Sequence, residues 1–488
     1  MNRLNKAGSG SKNIDHIFSG LQDTIHTPFD NLLPKVEESA VQFYIDAMRI
    51  YLGLCEGTIS MEEALKAVDY LKENPEYATF PTNPTIIPIN QRFKLKMLDN
   101  LKTLNKFNLF TKSAIRSAYN FAFLIEEAPI TNTDLSVLTA LSNDPLISLV
   151  EASRFLNLAP RTVARSLERL QERHQLRVST FVDTSAFNLQ SVMLFFVLRE
   201  GIEWDSIETG LQQFPFTKSI LKTTMTDIGY ITFLIPNYSE TESIFQRSIK
   251  NLSRTIFEYS SLHRQTSSGS VSNVNLFSQG SWRLPEDLEY ILKTDTEVDS
   301  SNLPPLLSCS GMKSDFTKED FAITAQLQMD FRSTPSKISE HLVMKGWDTD
   351  PRRVSSVIRR LQSRNLLLPY IIFALPKLSS NFCFEITCST DYKSRILEAI
   401  RKFPWVMYYL SDRGIIVWTM TPGEHQVDYY QLFRALEQRP GINSVQPIMT
   451  ISQQGSRSMM DLTRNYAYEN GVWSVESDEI DIGNYIEL

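Results

Sequence analysis

Arg161, Arg165, Arg169 and Arg173 recur at every fourth position of the segment PRTVARSLERLQERH, a spacing that suits contact with a polyanion. On a helical wheel at roughly 100 degrees per residue, with Arg161 at zero, Arg165 falls near ~40, Arg169 near ~80 and Arg173 near ~120 degrees, while Val163, Leu167 and Leu170 fall between ~180 and ~240 degrees. One face is guanidinium and the opposite face is aliphatic. The B-DNA major groove admits one such helix, and a planar guanidinium meets guanine edges or phosphate oxygens in pairs. Arg161, Thr162 and Arg165, at the start of the helix, are the candidates for base edges, and Arg169 and Arg173 are the candidates for phosphates. The free N–H groups of the helix start add a further anion site. The rival reading is a solvated face on which Glu168 and Glu172 pair with Arg165 and Arg169.

The pattern occurs twice. Val163, Leu167, Arg169, Leu170, Gln171 and Arg173 are matched by Val354, Ile358, Arg360, Leu361, Gln362 and Arg364 at a constant offset of 191 residues, 170 to 361. Gly280-Ser281-Trp282 and Gly471-Val472-Trp473 repeat that offset, 282 to 473. In the second copy Arg352, Ser356, Arg360 and Arg364 take the stripe, Arg353 and Arg359 flank it, and Val354, Ile358 and Leu361 form the aliphatic face.

Each stripe needs a scaffold to aim it. Asp134–Leu141, Ser148–Leu156 and Pro160–Glu172 read as three short helices separated by Asn143-Asp144-Pro145 and Asn157-Leu158-Ala159, which suggests a helix-turn-helix. Pro160 suits the first helical position. Beyond Leu176 the period becomes strand-like, and the order counted from Ser191 is βαββαβ, the ferredoxin-like arrangement. The same succession returns from Lys318, with five extra residues, Lys345 to Thr349, before its third helix. The expected class is therefore α+β, with tandem winged helix-turn-helix and ferredoxin-like modules behind a helical N-terminal domain.

The expected boundaries are a disordered start over 1–30, a helical domain over 31–130, a first winged helix-turn-helix over 131–182 and a first ferredoxin-like module over 183–292. A linker over 293–316, a second winged helix-turn-helix over 317–373 and a second module over 374–488 complete the chain. In the N-terminal domain Ser60, with Glu63 three residues on, is a helix-start signal, and Pro81–Pro88 reads as an extended connector. Two Ser-rich stretches, His263–Ser272 and Asp295–Ser314, read as connectors.

At 488 residues the chain is too long for one core. A net charge of −7 excludes a generally basic coat, so any nucleic-acid site is a local patch. No run of eighteen apolar residues and no charged-then-apolar leader is present, which implies a cytoplasmic protein that does not enter membranes. Cys55, Cys309, Cys383 and Cys388 are too scattered for a disulfide framework or a four-thiolate metal site, and Cys383 and Cys388 read as buried strand residues. No metal or other cofactor is expected. Trp282 and Trp473 read as packing residues that close each copy.

With these residues in view, the chain resembles the Lrp/AsnC (feast/famine) family of transcription regulators, through TDLSVLTALSNDPLISLVEASRFLNLAPRTVARSLERLQERHQLR and the strand-rich module behind it. The resemblance covers about Thr131–Leu262 and Lys318–Ile451 and leaves the N-terminal region unexplained. Two departures stand out. The helix starts read Ala159-Pro160-Arg161-Thr162 and Asp350-Pro351-Arg352-Arg353, and the glycine that usually follows the recognition helix gives way to Arg173-His174 and Arg364-Asn365. The resemblance implies heads brought together by paired sheets, here as an intramolecular pseudo-dimer or a homo-oligomer, and an intramolecular pseudo-dimer would read an asymmetric duplex. It also implies a small-molecule effector site near the turn holding Asp227 and Gly229 or Asp412 and Gly414, residues that equally suit plain hairpin turns.

The expected function is a DNA-binding transcriptional regulator without catalysis, whose partners are double-stranded DNA, a small effector, and a protein held by the N-terminal helices. Two rivals stay open. One is a protein-interaction adaptor that does not touch DNA. The other is a siroheme-decarboxylase-like enzyme, since those enzymes resemble two fused copies of this architecture; the six histidines here form no repeated pair.

Overall fold

Thr131, Ser148 and Thr317 each start a helix by closing a capping box, the side chain of the cap accepting from the third helical N–H while Asp134, Glu151 or Asp320 reaches back. Such boxes satisfy donors that a helix start otherwise leaves bare. The structure is a computed structural model describing residues 17–27, 39–73, 91–123, 130–223, 227–286, 298, 301, 303–311, 315–375, 377–448, 451–456, 459, 462, 466–469 and 471–486. The expected connector Pro81–Pro88 lies outside the described residues. The chain divides into two units, Met1–Pro129 and Ile130–Leu488.

In the first unit the labelled helices are α1 (Ser39–Glu56), α2 (Met61–Glu73), α3 (Gln91–Lys106) and α4 (Lys112–Phe123). Ser60 and Glu63 exchange the hydrogen bonds of a capping box, Ser60 N to Glu63 Oε2 at 2.8 Å and Glu63 N to Ser60 Oγ at 3.2 Å. Apolar residues at three-to-four spacing, among them Phe43, Ala47, Ile50, Val68, Leu71, Leu101 and Ile115, form the core. Within the start expected to be disordered, Leu21 and Ile25 are buried in this same core.

The second unit opens with α5 (Asn132–Asn143), α6 (Leu149–Leu156) and α7 (Pro160–His174), followed by β1 (Arg177–Val182). Next come β2 (Leu189–Leu198), α8 (Trp204–Gln213), β3 (Thr217–Thr223), β4 (Ile228–Pro236), α9 (Ser239–Thr255) and β5 (Phe257–Ser272). A short pair, β6 (Phe277–Ser278) with β7 (Ser281–Trp282), and the two-residue strand β8 (Leu307–Ser308) lead to a second three-helix cluster. This is α10 (Lys318–Met329), α11 (Pro335–Met344) and α12 (Pro351–Ser363), followed by β9 (Leu367–Ile372). Then come β10 (Leu378–Cys388), α13 (Thr390–Ile400), β11 (Trp405–Ser411), β12 (Gly414–Pro422), α14 (Gln426–Leu436) and β13 (Ile442–Ile448). Last are β14 (Ile451–Ser456), the pair β15 (Tyr468–Glu469) and β16 (Val472–Trp473), and the short helix α15 (Ser477–Ile480). Helices and antiparallel sheets together make the chain α+β.

The main sheet runs β13-β10-β12-β11-β5-β2-β4-β3-β14, with β8 attached to β5. Its hinge is β5. The first half of that strand pairs with β2 (Leu262 opposite Leu194) and the second half with β11 (Ser268 opposite Tyr409). The expectation of a connector at His263–Ser272 is thus corrected: these residues are a strand, stabilised by pairing with β11 rather than by any apolar pattern of their own. At the far end β14 pairs with β3, so the two terminal strands of the path, β13 and β14, are consecutive in the chain.

Alternation along the strands gives the sheet two buried faces. Val192, Leu194 and Phe196 of β2 join one helix-covered core, and Phe382, Phe384 and Ile386 of β10 join another. The intervening Met193, Phe195, Cys383, Ile416 and Trp418 meet one another between the two halves. Cys383 and Cys388 are buried, unpaired thiols.

Candidate nucleic-acid interface

Ala159 precedes α7 without a side-chain cap, and Pro160 fills the first helical position. The helix buries Val163, Ser166, Leu170 and His174 against its neighbours and leaves Arg161, Thr162, Arg165 and Arg173 exposed. It ends on Gln175 in the left-handed region, φ 52. The second cluster ends likewise on Asn365, φ 54. The missing glycine noted in the sequence is therefore replaced by residues that take up its backbone geometry, Asn at lower cost than Gln.

The arginine stripe does not survive whole. Arg169 turns inward and places Nη2 2.6 Å from Asp134 Oδ1, itself 2% exposed. Ser166 Oγ donates to the same oxygen at 2.6 Å, and Thr131 Oγ1 donates to Oδ2 at 2.7 Å. Arg169, expected to meet phosphate, is thus the brace between the first and third helices. The i,i+3 pairs considered for Glu168 and Glu172 do not form among the described residues; Arg161, Arg165 and Arg173 have no carboxylate partner there.

Burial pushes the Asp134 carboxyl up, but hydrogen bonds from Arg169, Ser166 and Thr131 outweigh it and hold it below the ordinary aspartate range. A carboxyl held low by the fold adds stability that is present in full above the unfolded pKa of about 3.9 and is lost as pH falls toward the folded value. Asp134→Asn is expected to cost about 2–4 kcal/mol at neutral pH, because it strips a buried pair of one charge. The difference from wild type should shrink on acidification below about pH 4, as followed by urea unfolding at stepped pH. A gap that stays constant down to the acid end would remove this role from Asp134.

On α12 the cap is Asp350, which accepts from Arg352 N at 2.7 Å and Arg353 N at 2.8 Å. Arg352, Ser356 and Arg359 are exposed. The other three arginines are paired. Arg353 Nη2 meets Asp320 Oδ1 at 2.6 Å, and Arg360 Nη1 meets Asp320 Oδ2 at 3.4 Å. Arg360 Nη2 and Arg364 Nη1 both reach Asp315 Oδ1, at 3.0 and 2.9 Å. The Phe316 ring lies under both guanidinium groups, 4.6 Å from Arg360 and 5.2 Å from Arg364.

The two clusters are fastened together. Strands β1 and β9 pair antiparallel, Thr180 opposite Pro369. Arg332 donates to the carbonyls of Pro145 and Ile147, at 2.8 and 3.0 Å from Nη2, and Phe331 N donates to Val178 O at 2.8 Å. Such bonds fix the attitude of one helix cluster against the other.

One polar group escaped sequence reasoning. His263, in the Ser-rich half of β5, is 0% exposed and places Nε2 2.5 Å from Glu385 Oε1 and Nδ1 2.7 Å from Ser411 Oγ. Its partners lie 122 and 148 residues away, on β10 and β11, so no local signal could have paired them. All three side chains are sealed from solvent, which makes this a pin between the sheet halves rather than a place for substrate.

The turn residues separate in the same way. Gly229 and Gly414 are required by packing: a Cβ on the first would lie 2.2 Å from Trp204 and on the second 1.9 Å from the Ile386 carbonyl oxygen. Asp227 uses its carbonyl to accept from Leu198 N at 2.7 Å. Asp412, which accepts from Arg264 N at 3.0 Å, lines a cavity of about 210 Å³ together with Gln190, Asn237, Glu242 and Arg264, the last two ion-paired. No group of three or more metal-ligating side chains occurs among the described residues, and no described helix is long and apolar enough to cross a membrane.

Comparison with solved structures finds the siroheme decarboxylase NirDL at 13% identity, with a TM-score of 0.38, covering 66% of this chain and 92% of that one. A transcriptional regulator from Neisseria meningitidis in complex with L-methionine is matched at 17% identity, with a TM-score of 0.22, covering 28% of this chain and 89% of that one. No curated protein matches the chain. Residues 130–177, which hold α5, α6 and α7, match the winged helix-turn-helix DNA-binding family.

Proposed function

We propose that this protein is a sequence-specific DNA-binding transcriptional regulator with no catalysis of its own. The observation that carries the reading is the exposed set Arg161, Arg165 and Arg173, unpaired among the described residues, on the third helix of a segment that matches a DNA-binding family. The finer reading is of two tandem Lrp/AsnC-like units. Their strand orders, β5-β2-β4-β3 and β13-β10-β12-β11, are the same arrangement of a βαββαβ element order, and this supports the ferredoxin-like assignment. Joined through β5 and β11, they act as an intramolecular pseudo-dimer. A small effector is assigned to the cavity beside Arg264, Glu242 and Asp412, whose mixed charges suit a zwitterion. A protein partner is assigned to the first unit, where Phe107, Leu109 and Phe110 stand 61%, 47% and 49% exposed in the turn after α3.

The test is duplex binding over a salt series. Arginine–phosphate contacts release counterions, so log affinity should fall against log salt with a slope of about −0.9 for each phosphate met. Arg173→Ala should weaken selected and random duplexes alike and reduce the slope by about 1. Affinity indifferent to salt would defeat the reading and favour the adaptor.

A further inference from the structure

We infer that the two recognition helices are unequal: α7 reads sequence, while α12 is held back by Asp315, whose carboxylate stands where a DNA phosphate would stand. The inference rests on the DNA-binding reading above and says how that interface is divided.

Arg360 of α12 and Arg364, the residue that caps its end, face outward in the sequence pattern and converge on one oxygen of Asp315 at 3.0 and 2.9 Å. A carboxylate and a phosphate offer a guanidinium the same kind of anionic oxygen, so Asp315 gives both arginines what a phosphate would otherwise supply. The hydrogen bond from Arg364 holds the Asp315 carboxyl below its usual range, so the anion is present at neutral pH. Arg353, at the place taken by Thr162 in the first copy, is drawn back onto Asp320. Of the candidate contacts, α12 is left with Arg352, Ser356 and Arg359.

The first copy lacks this device, and the sequence says why. The residues before the helix caps are Asp315-Phe316-Thr317 in one copy and Pro129-Ile130-Thr131 in the other. The two positions directly before Thr131 thus hold neither a carboxylate nor an aromatic ring. Arg173, the counterpart of Arg364, is accordingly exposed and unpaired among the described residues.

Asp315 is 70% exposed, so its pairs are weak and a real phosphate can displace it. It works as a competitor that lowers the contribution of the second head, most of all on DNA without the preferred sequence. The protein then recognises an asymmetric duplex in which one half carries most of the sequence information.

The experiment measures binding of the full chain to a random duplex and to a duplex selected by the wild type, over a salt series, for wild type, Asp315→Asn, Asp348→Asn and Arg161→Ala. Asp348 is an exposed carboxylate of the same head that makes no contact with these arginines, and it controls for net charge. Asp315→Asn should bind the random duplex about two- to fivefold more tightly and show a salt slope steeper by about 1–2, with Asp348→Asn close to wild type. Adding Arg360→Ala and Arg364→Ala to Asp315→Asn should cancel the gain. Equal behaviour of Asp315→Asn and Asp348→Asn overturns the inference. If Arg161→Ala loses selectivity while Asp315→Asn changes nothing, the heads are not divided in this way but the DNA-binding reading stands. If the wild type binds neither duplex, both fall.

Discussion

Replacing Arg161 and Arg165 together with alanine is expected to erase most of the discrimination between a selected and a random duplex, at about 1–3 kcal/mol for each lost base contact. The two side chains lie one turn apart near the start of α7, and among the described residues neither has a carboxylate to leave behind. Their removal should therefore leave the fold intact, which circular dichroism and thermal unfolding can verify. Competition binding would show the selected duplex weakened by roughly 30-fold or more and the random duplex much less. Equal weakening of both would place these arginines on the phosphate backbone and move sequence reading elsewhere.

Trp473→Ala should produce the largest loss of stability. The ring is 2% exposed, stacks on Tyr468 at 4.3 Å and meets Phe321 edge-on at 5.6 Å. Its indole N–H donates to Phe187 O at 2.8 Å. It thus ties the last residues of the chain to the segment after β1 and to the first helix of the second cluster. Truncating a buried tryptophan costs about 3–5 kcal/mol in lost transfer energy and residual cavity. Trp473→Phe keeps a stacked ring and loses mainly the hydrogen bond, about 1 kcal/mol. Urea unfolding followed by circular dichroism would separate the two. Alanine and phenylalanine variants of equal stability would mean that the pocket collapses around either side chain.

The third helix was legible because two signals agreed: an apolar stripe of Val163, Leu167 and Leu170, and Pro160 at the first helical position. The strand positions followed from the switch to a strand-like period, as in Val192 to Leu198, where alternate side chains enter different cores. Arg169 shows the limit. A helical wheel places it on the outer stripe, but its partner Asp134 lies 35 residues earlier, and the wheel knows nothing of a carboxylate brought in by another helix. The second half of β5 shows another: Ser267, Ser268 and Ser270 carry no strand signal, and their order comes from β11, more than a hundred residues away. His263 was hidden for the same reason.

The order of the main sheet has a consequence for how this molecule can be divided. Its path begins on β13 and finishes on β14, neighbours in the chain, while β5 passes from one half to the other midway. A fragment ending before α10 would lack both β11 and β14, so β5 and β3 would each present a naked row of amide and carbonyl groups, the usual template for indiscriminate association. The halves are therefore not autonomous pieces, and a cut between them would dismantle the sheet that joins them.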